Sequence, residues 1–250
     1  QRGRGQSAVG APAHEPARRT PRARLAEPVV ADIEAHPLRP DGLFEFIASA
    51  RSKRTPHPPA EQTLAQFKQF LLASDEAAIQ EVMPGLSSDV ISCVVKLMSN
   101  DELIAIGRKI FNPLPGSQIG ARGYLGARIQ PNSPTDNLDD IRWQVFDGWS
   151  YAVGDVLLGT NPVSSSPASV AAIEQTLQDL LTTFEIDHLM PHCALGHIDV
   201  QADVERQWPG STELWFQSIA GSDAANETFD ISLEKLKRYA DTRTGRYGLY

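Results

Sequence analysis

Short apolar runs alternate with longer amphipathic segments through the second half of the chain. The apolar runs predict strands, at 124–130, 155–160, 192–197 and 213–219, with a fifth beginning at 246. The amphipathic segments predict helices, at 135–149, 167–185, 199–207 and 224–241. Four βα units with short connections favour a parallel α/β sheet, which is either an open doubly wound sheet or half of an eight-stranded barrel.

The first half of the chain has a helical pattern instead. Apolar residues recur at spacings of three or four from Val30 to Phe111, which predicts a helical region with its own core. The segment from Gln1 to Ala26 holds six arginines, three prolines and one acid, a composition that predicts a disordered leader. We therefore predict an Arg/Pro-rich leader at 1–27, a helical domain at 28–116 and an α/β domain at 117–250.

Composition narrows the class of protein. The 250 residues carry a formal net charge of −8 with a pI of about 5.2, which argues against nucleic acid as the main partner. Since no apolar run approaches the ~20 residues that span a bilayer, we expect no membrane association. Because only two cysteines occur, Cys93 and Cys193, we expect reduced thiols and a cytoplasmic location.

Polar side chains follow the predicted strands where each strand ends. They are Arg128 and Gln130 on the first strand, Asn161 after the second, His197 on the third, and Gln217 with Ser218 on the fourth. Positions i and i+2 of a strand share a face, so the first pair is expected to point together into one pocket. The carboxyl ends of parallel strands carry the chemistry of α/β folds, and we therefore expect Arg128, Gln130, Asn161 and Gln217 to converge around one shared cavity at this edge.

The chemistry of these residue types suits a small polar substrate. The Arg128 guanidinium donates in a forked geometry and stays cationic when buried. The amides of Gln130 and Asn161 offer both acceptors and donors, which suits a molecule with an amino group and a hydroxyl group. A buried ammonium close to an arginine is costly unless carboxylates lie nearby, and the predicted strand ends supply none.

Each of these side chains also has a purely structural interpretation. In that interpretation Arg128 pairs with a neighbouring acid such as Asp155, while Gln130 and Asn161 cap loop backbones. The two polar residues after the fourth strand would then hydrogen-bond within their own loop. The residues alone do not decide between the two interpretations.

The histidines and glycines do not match known metal or nucleotide motifs. His197 on an apolar strand is more typical of a hydrogen-bonded core histidine than of a base, so we do not count it as catalytic. His188, His192 and His197 lack the spacing of a zinc site, and we predict no metal ligands. No glycine-rich nucleotide loop follows a predicted strand.

Several strings of the chain resemble one protein family. In the α/β region they are Gly126–Asn132, Val153–Val163, Cys193–His197 and Phe216–Ser222, and in the helical region Val30–Ile33, Leu86–Ile91 and Ser99–Ile104. With these strings in order, residues 28–250 resemble the large subunit of ethanolamine ammonia-lyase. The leader shows no such resemblance.

The resemblance implies a fold, a cofactor and a partner. It implies a partial TIM (β/α)8 barrel of about four βα units, preceded by a small helical domain. It also implies adenosylcobalamin over the barrel mouth, a small partner subunit in a hetero-oligomer, and a location in the cytoplasm or a bacterial microcompartment. The implied reaction is the radical conversion of 2-aminoethanol to acetaldehyde and ammonia.

The resemblance also implies roles for individual residues. Arg128 would bind the substrate hydroxyl, and Gln130 and Asn161 would hold the substrate amino group. The backbone of Pro162 and the side chains of Gln217 and Ser218 would contact the cofactor. We assign no catalytic residue, because the family's essential glutamate and aspartate are expected beyond Tyr250.

That expectation bears on activity. We predict that the 250-residue chain alone does not turn over ethanolamine, although the complete family protein is a carbon–nitrogen lyase. One alternative is a non-catalytic relic or assembly module that keeps partner-binding surfaces. A small-molecule enzyme with a phosphate-binding barrel is a further alternative, disfavoured because no glycine-rich phosphate loop is present.

Overall fold

A computed structural model describes residues 15–51, 60–113, 117–124, 126–151 and 156–247. By their contacts, the residues divide into two units, Gln1–Ile110 and Phe111–Tyr250. This boundary lies six residues before the one predicted at 116. None of the helices in these ranges is long and apolar enough to cross a membrane.

The first unit is helical. Its helices are α1 (Glu15–Ala26), α2 (Val30–Ala35), α3 (Gly42–Ala50), α4 (Leu64–Ala73), α5 (Glu76–Val82), α6 (Ser88–Leu97) and α7 (Asn100–Gly107), with a 3₁₀ turn at Met83–Gly85. Phe67, Ile79 and Val90 lie in one fully buried core, as the spacing of apolar residues predicted. Ser87 and Ser99 are the N-cap residues of α6 and α7, and their hydroxyls accept hydrogen bonds from backbone N–H groups of the first turn.

The predicted disordered leader requires a correction. Residues 15–26 form α1, and the apolar end of this helix, Leu25 and Ala26, packs against the core of the first unit. The arginine count favoured disorder, but two apolar residues at the carboxyl end are enough to dock the helix. Residues 1–14 of the predicted leader lie outside the described ranges.

The second unit contains a parallel sheet. Its elements are β1 (Ala127–Ile129), α8 (Leu138–Ser150), β2 (Val156–Thr160), α9 (Pro167–Thr183), β3 (His192–Ala194), α10 (Ile198–Gln207), α11 (Asp223–Glu227) and α12 (Leu233–Ala240). The strand order is β1-β2-β3, and both pairs are parallel. The α/β class predicted from the alternating pattern is therefore confirmed.

The predicted fourth βα unit requires a second correction. Residues 213–219 form no strand, and their described contacts include a parallel bridge from Phe216 to Leu195 and a bond from the Leu214 N–H to the His192 carbonyl, at 3.2 Å. The helix predicted at 224–241 is split into α11 and α12, because Asp230 has a φ of 54° that an α-helix excludes. In the segment where a strand was predicted to begin at 246, the Tyr247 N–H donates to the Glu213 carbonyl. Residues 248–250 of that segment lie outside the described ranges.

The two faces of the sheet differ in what covers them. Leu158 of β2 lies in a buried cluster with residues of α8 and α9, and Ala194 of β3 packs against α9 and α10. On the opposite face, Leu157, Cys193 and Leu214 form a smaller apolar cluster together with Tyr247. We call the face that carries Leu157 the inner face, and the face that carries Leu158 the helix-covered face.

A buried acid connects the helix-covered face to the segment that follows α10. Glu174 of α9 is fully buried and accepts hydrogen bonds from the Thr212 hydroxyl and, at 3.4 Å, from the Gln201 amide. Burial raises the pKa of Glu174 from 4.5 to about 8, against the opposing effect of these two hydrogen bonds. The folded protein thus retains a proton that the unfolded chain releases above pH 4.5.

The retained proton makes stability fall as pH rises. Between pH 6.5 and 8 we expect the free energy of unfolding to decline by about 1–2 kcal/mol more in the wild type than in Glu174→Gln, which cannot ionise. Burial lowers the pKa of His192 from 6.5 to about 3, so its contribution changes mainly below pH 6.5, and it is common to the wild type and Glu174→Gln. Urea unfolding at several pH values measures the difference.

Glu234→Gln is the matched control, because Glu234 is an exposed residue in the first turn of α12. This variant should show the same decline in the free energy of unfolding between pH 6.5 and 8 as the wild type. Equal pH dependence of the wild type and Glu174→Gln would contradict a protonated Glu174 in the folded state.

Candidate functional site

Arg128 and Gln130 form a pair at the end of β1. The Arg128 Nη2 donates a hydrogen bond to the Gln130 Oε1, as expected for residues at i and i+2 on one face of a strand. Both side chains are partly buried. The guanidinium also lies over the ring of Phe216, with its Cζ 4.8 Å from the ring centroid, a cation–π distance. The pair is therefore held from two sides on the inner face.

The register between the strands creates the space for this arginine. Arg128 is paired with Leu157, so its side chain extends over Gly159, the next residue of β2 on the same face. A Cβ at position 159 would lie 2.8 Å from the Arg128 Cδ and 3.0 Å from the Cys193 Sγ. The absence of a side chain at Gly159 is thus needed for the observed position of Arg128.

The loop after β2 carries Asn161 and Pro162. Asn161 is exposed, and its backbone N–H donates to the Asn132 Oδ1 at 3.1 Å. Pro162 is partly buried. Asp136 accepts hydrogen bonds from the next two N–H groups of this loop, those of Val163 and Ser164, at 2.8 and 2.7 Å.

Gln217 and Ser218 line a cavity of about 400 Å³. The Gln217 Nε2 donates to the Gly196 carbonyl at 3.0 Å, so the segment after Phe216 is joined to the loop after β3. The buried Asn226 side chain closes the other end, because its amide both accepts from and donates to the backbone of Ala220. The remaining lining residues are Leu195, His197, Ile219, Phe229 and Ile231.

The predicted site residues thus fall into two groups. Arg128 and Gln130 contact each other, and Arg128 reaches Phe216, the direct neighbour of Gln217. The 400 Å³ cavity is lined by Gln217 and Ser218, and its lining does not include Arg128, Gln130, Asn161 or Pro162. All of these residues nevertheless lie toward the carboxyl edge of the sheet. Arg128 is part of β1, and each of the others comes directly after a strand or after the bridge at Phe216.

The structural interpretations of these residues have different outcomes. The Arg128–Asp155 pair involves a residue outside the described ranges. The Gln130 side chain accepts a bond from Arg128, and the Gln217 amide donates to the loop of Gly196, which is not the contact within its own loop that the structural interpretation gave. These contacts orient the amides, and each amide oxygen or NH2 group has further hydrogen-bonding capacity.

His197 has a structural role at the cavity. Its Nε2 is 2.7 Å from the Phe229 carbonyl, and its Nδ1 accepts the Asp199 N–H that begins α10. The histidine is hydrogen-bonded as predicted, but it is part-exposed and lines the cavity, so it does not lie in the core. With both ring nitrogens engaged, His197 orients the loop that contacts Gln217.

Metal ligation has no support in the described ranges. No group of three or more His, Cys, Asp or Glu side chains there has an arrangement that could hold a metal ion. Burial raises the pKa of the Cys193 thiol to about 12, so this inner-face cysteine stays protonated and is a poor ligand. Cys93 and Cys193 are both free, as predicted.

Sequence reasoning missed two residues that organise this region. Asp136 and Asn226 each hold a loop backbone through their side-chain oxygens. An Asp or Asn near a predicted helix start is an ordinary capping signal, and nothing in the sequence distinguishes these two from the many others.

The carboxyl ends of parallel strands, where Arg128, Gln130 and the cavity beside Gln217 lie, are the usual place for small-molecule sites in α/β folds. Comparison with known families is more specific. The family model for "Ethanolamine ammonia lyase large subunit (EutB)" matches residues 2–248. The chain belongs to this family, which confirms the resemblance drawn from the short strings.

Curated relatives agree with the family. The ethanolamine ammonia-lyase large subunits of Escherichia coli (strain K12) and Salmonella typhimurium are each 29% identical to the chain over 222 residues, which cover 85% of it. The chain spans about half, 48%, of the length of these relatives. The family match begins at residue 2, so it includes the segment in which sequence analysis found no resemblance.

The requirement for glycine at position 159 is directly testable. In Gly159→Ala the new Cβ must displace the Arg128 stem or the buried Cys193, so we expect a loss of about 1–3 kcal/mol in the free energy of unfolding. Urea unfolding measures this loss. The control is Gly221→Ala, where a Cβ meets nothing within 4 Å. Equal stability of the two variants would contradict the close approach of Arg128.

Proposed function

We propose that this chain forms the amino-terminal part of an adenosylcobalamin-dependent ethanolamine ammonia-lyase large subunit. The complete protein would convert 2-aminoethanol to acetaldehyde and ammonia by a radical 1,2-migration of the amino group. The observation that carries the proposal is the family match over residues 2–248, a range that contains every predicted site residue.

We propose that the sheet is the first part of a (β/α)8 barrel. Four features support this. The strand order is sequential, the segment at Phe216 continues the parallel order beside β3, and Tyr247 follows beside Glu213. Helices α8, α9 and α10 pack on the helix-covered face, and the described residues of the cluster on the inner face belong to no helix, whereas a doubly wound sheet has helices on both faces. The apolar inner face would then fill the barrel interior.

We propose that Arg128 donates to the substrate hydroxyl oxygen. A guanidinium held between Gln130 and the Phe216 ring presents its remaining N–H donors in a fixed direction. Gln130 and Asn161 would hold the amino group through their amide oxygens. The Gln130 oxygen already accepts from Arg128, but a carbonyl oxygen has a second lone pair for the substrate. The bonded pair of Arg128 and Gln130 would thus contact both ends of a two-carbon molecule, with Arg128 at the hydroxyl and Gln130 at the amino group.

The cavity beside Gln217 fits part of the implied cofactor. Its volume of about 400 Å³ lies in the ~300–1,000 Å³ range of small-molecule sites. Its apolar side chains, with the amides of Gln217 and Asn226, the Ser218 hydroxyl and the His197 ring, suit a nucleoside-like group. We propose that Gln217 and Ser218 contact the cofactor there, with the backbone of Pro162. When bound, the cofactor supplies homolysis of its cobalt–carbon bond and so the radical chemistry.

The role of this chain's residues is then positional. The Gln217 bond to Gly196 and the Asn226 bonds to Ala220 hold the cavity wall in one conformation. The inner-face cluster around Leu157 would exclude water from beneath the substrate. Exclusion of water matters because it protects reactive intermediates from side reactions.

Assembly and location are part of the same proposal. The relatives are named as large subunits, which supports a small-subunit partner in a hetero-oligomer. We propose that this protein assembles with such a subunit in the cytoplasm or in a bacterial microcompartment. The acidic net charge of −8 supports a partner other than nucleic acid.

The test of the proposed function is Arg128→Ala in the complete large subunit. With the small subunit, adenosylcobalamin and ethanolamine, we expect kcat/KM to fall about 10–100-fold, because a charged hydrogen bond to the substrate is lost. Acetaldehyde release, followed with alcohol dehydrogenase and NADH, measures it.

Arg142→Ala is the control for charge, since Arg142 of α8 forms a surface ion pair with Asp139. It should keep wild-type kinetics. An unchanged kcat/KM in Arg128→Ala would exclude the substrate role. A wild-type complex that releases no acetaldehyde would exclude the function itself.

A further inference from the structure

The loop after β1 holds the loop after β2 through one carboxylate. The Asp136 Oδ1 accepts the N–H of Val163 at 2.8 Å, and the Asp136 Oδ2 accepts the N–H of Ser164 at 2.7 Å. The Ser169 hydroxyl adds a weaker bond to Oδ2 at 3.4 Å. Hydrogen bonds to an ionised carboxylate are stronger than neutral ones, so this contact is firm for a connection between two loops.

The backbone at Asp136 is adapted to this contact. Its φ of 53° lies in the left-handed region, which non-glycine residues rarely adopt. Asp and Asn tolerate this region better than other side chains do. An unfavourable backbone conformation persists where surrounding contacts determine it, and here the contacts are those to Val163 and Ser164.

A second connection lies on the other side of Pro162. The Asn161 N–H donates to the Asn132 Oδ1, and Asn132 is itself held by two backbone bonds to the Gln144 side chain, at 2.8 and 2.9 Å. The Thr160 hydroxyl donates to the Pro131 carbonyl at 2.6 Å. The segment of Asn161 and Pro162 is therefore held at both ends by the loop that follows Gln130.

We propose that Asp136 is a positioning residue for the substrate amino group. By holding Val163 and Ser164, its carboxylate sets the place of Asn161 and Pro162 relative to the Arg128–Gln130 pair. This inference rests on the proposed function for its substrate, but the loop contact itself does not. Since the carboxylate is engaged by backbone N–H groups, Asp136 acts through Asn161 and does not touch the substrate.

The first experiment measures loop order in the 250-residue chain. Asp136→Asn keeps the shape and the tolerance for positive φ, but it places an NH2 group against one of the two backbone donors. We expect amide hydrogen exchange at Val163 and Ser164 to become at least about 10-fold faster. Asp139→Asn is the matched control, because Asp139 is an exposed carboxylate close by in α8. Unchanged exchange in Asp136→Asn would overturn the contact.

The second experiment measures kinetics in the complete enzyme with saturating cofactor. We expect Asp136→Asn to raise the KM for ethanolamine about 10-fold with kcat changed less than about 3-fold, because Asn161 binds the amino group in ground and transition states alike. Asp136→Ala should raise the KM further, since it removes both side-chain oxygens that accept the loop N–H groups. Asp139→Asn should match the wild type. A fall in kcat without a change in KM would overturn the role.

A double variant separates positioning from a general structural effect. If Asp136 acts through Asn161, the KM of Asp136→Asn/Asn161→Ala should equal that of Asn161→Ala alone. A KM of the double variant that is raised by the product of the two single-variant effects would overturn the proposal. If the wild-type complex does not turn over ethanolamine, the proposed function and the substrate role both fail, whereas the exchange experiment still decides whether Asp136 holds the loop.

Discussion

The parallel register between β1 and β2 is the constraint on which the candidate site depends. It sets Arg128 opposite Leu157 and directs its side chain over Gly159, on the inner face. A shift by one residue would turn Arg128 into the apolar contact with α8 and α9, where an unpaired guanidinium is costly. The large buried residues of the helix-covered face, Leu158 among them, therefore determine where the arginine can lie.

The polar contacts around the sheet have a different task from its apolar core. On the carboxyl edge, Asp136 and Asn226 hold loop backbones whose neighbouring side chains are the proposed ligand contacts. On the helix-covered side, Glu174 joins α9 to Thr212, a few residues before Gln217. Apolar burial thus provides the sheet, and a small number of carboxyl and amide groups determine where the loops lie on it.

Much of the fold could be predicted because periodicity is a local property. The strands before Asn161 and before His197, and the helices that follow them, were placed within a few residues. The segment at 213–219 has the composition of a strand, yet it forms isolated bridges, such as that of Phe216 to Leu195, and no strand. The break between α11 and α12 at Asp230 could not be predicted for the same reason. A local pattern does not contain the backbone conformations that long-range contacts determine. Disorder was predicted for residues 15–26 from charge, but Leu25 docks that helix on a distant core.

The sequence by itself determined the α/β class, the pairing of Arg128 with Gln130 and the family, because each depends on residue type and short spacing. Only the tertiary structure decided that Arg128 lies over Phe216, that Gln217 and Ser218 line a cavity separate from the Arg128–Gln130 pair, and that Asp136 holds the loop of Asn161. The physical reason is that these contacts join residues far apart in the chain. Their geometry follows from strand register and burial, which no single segment encodes.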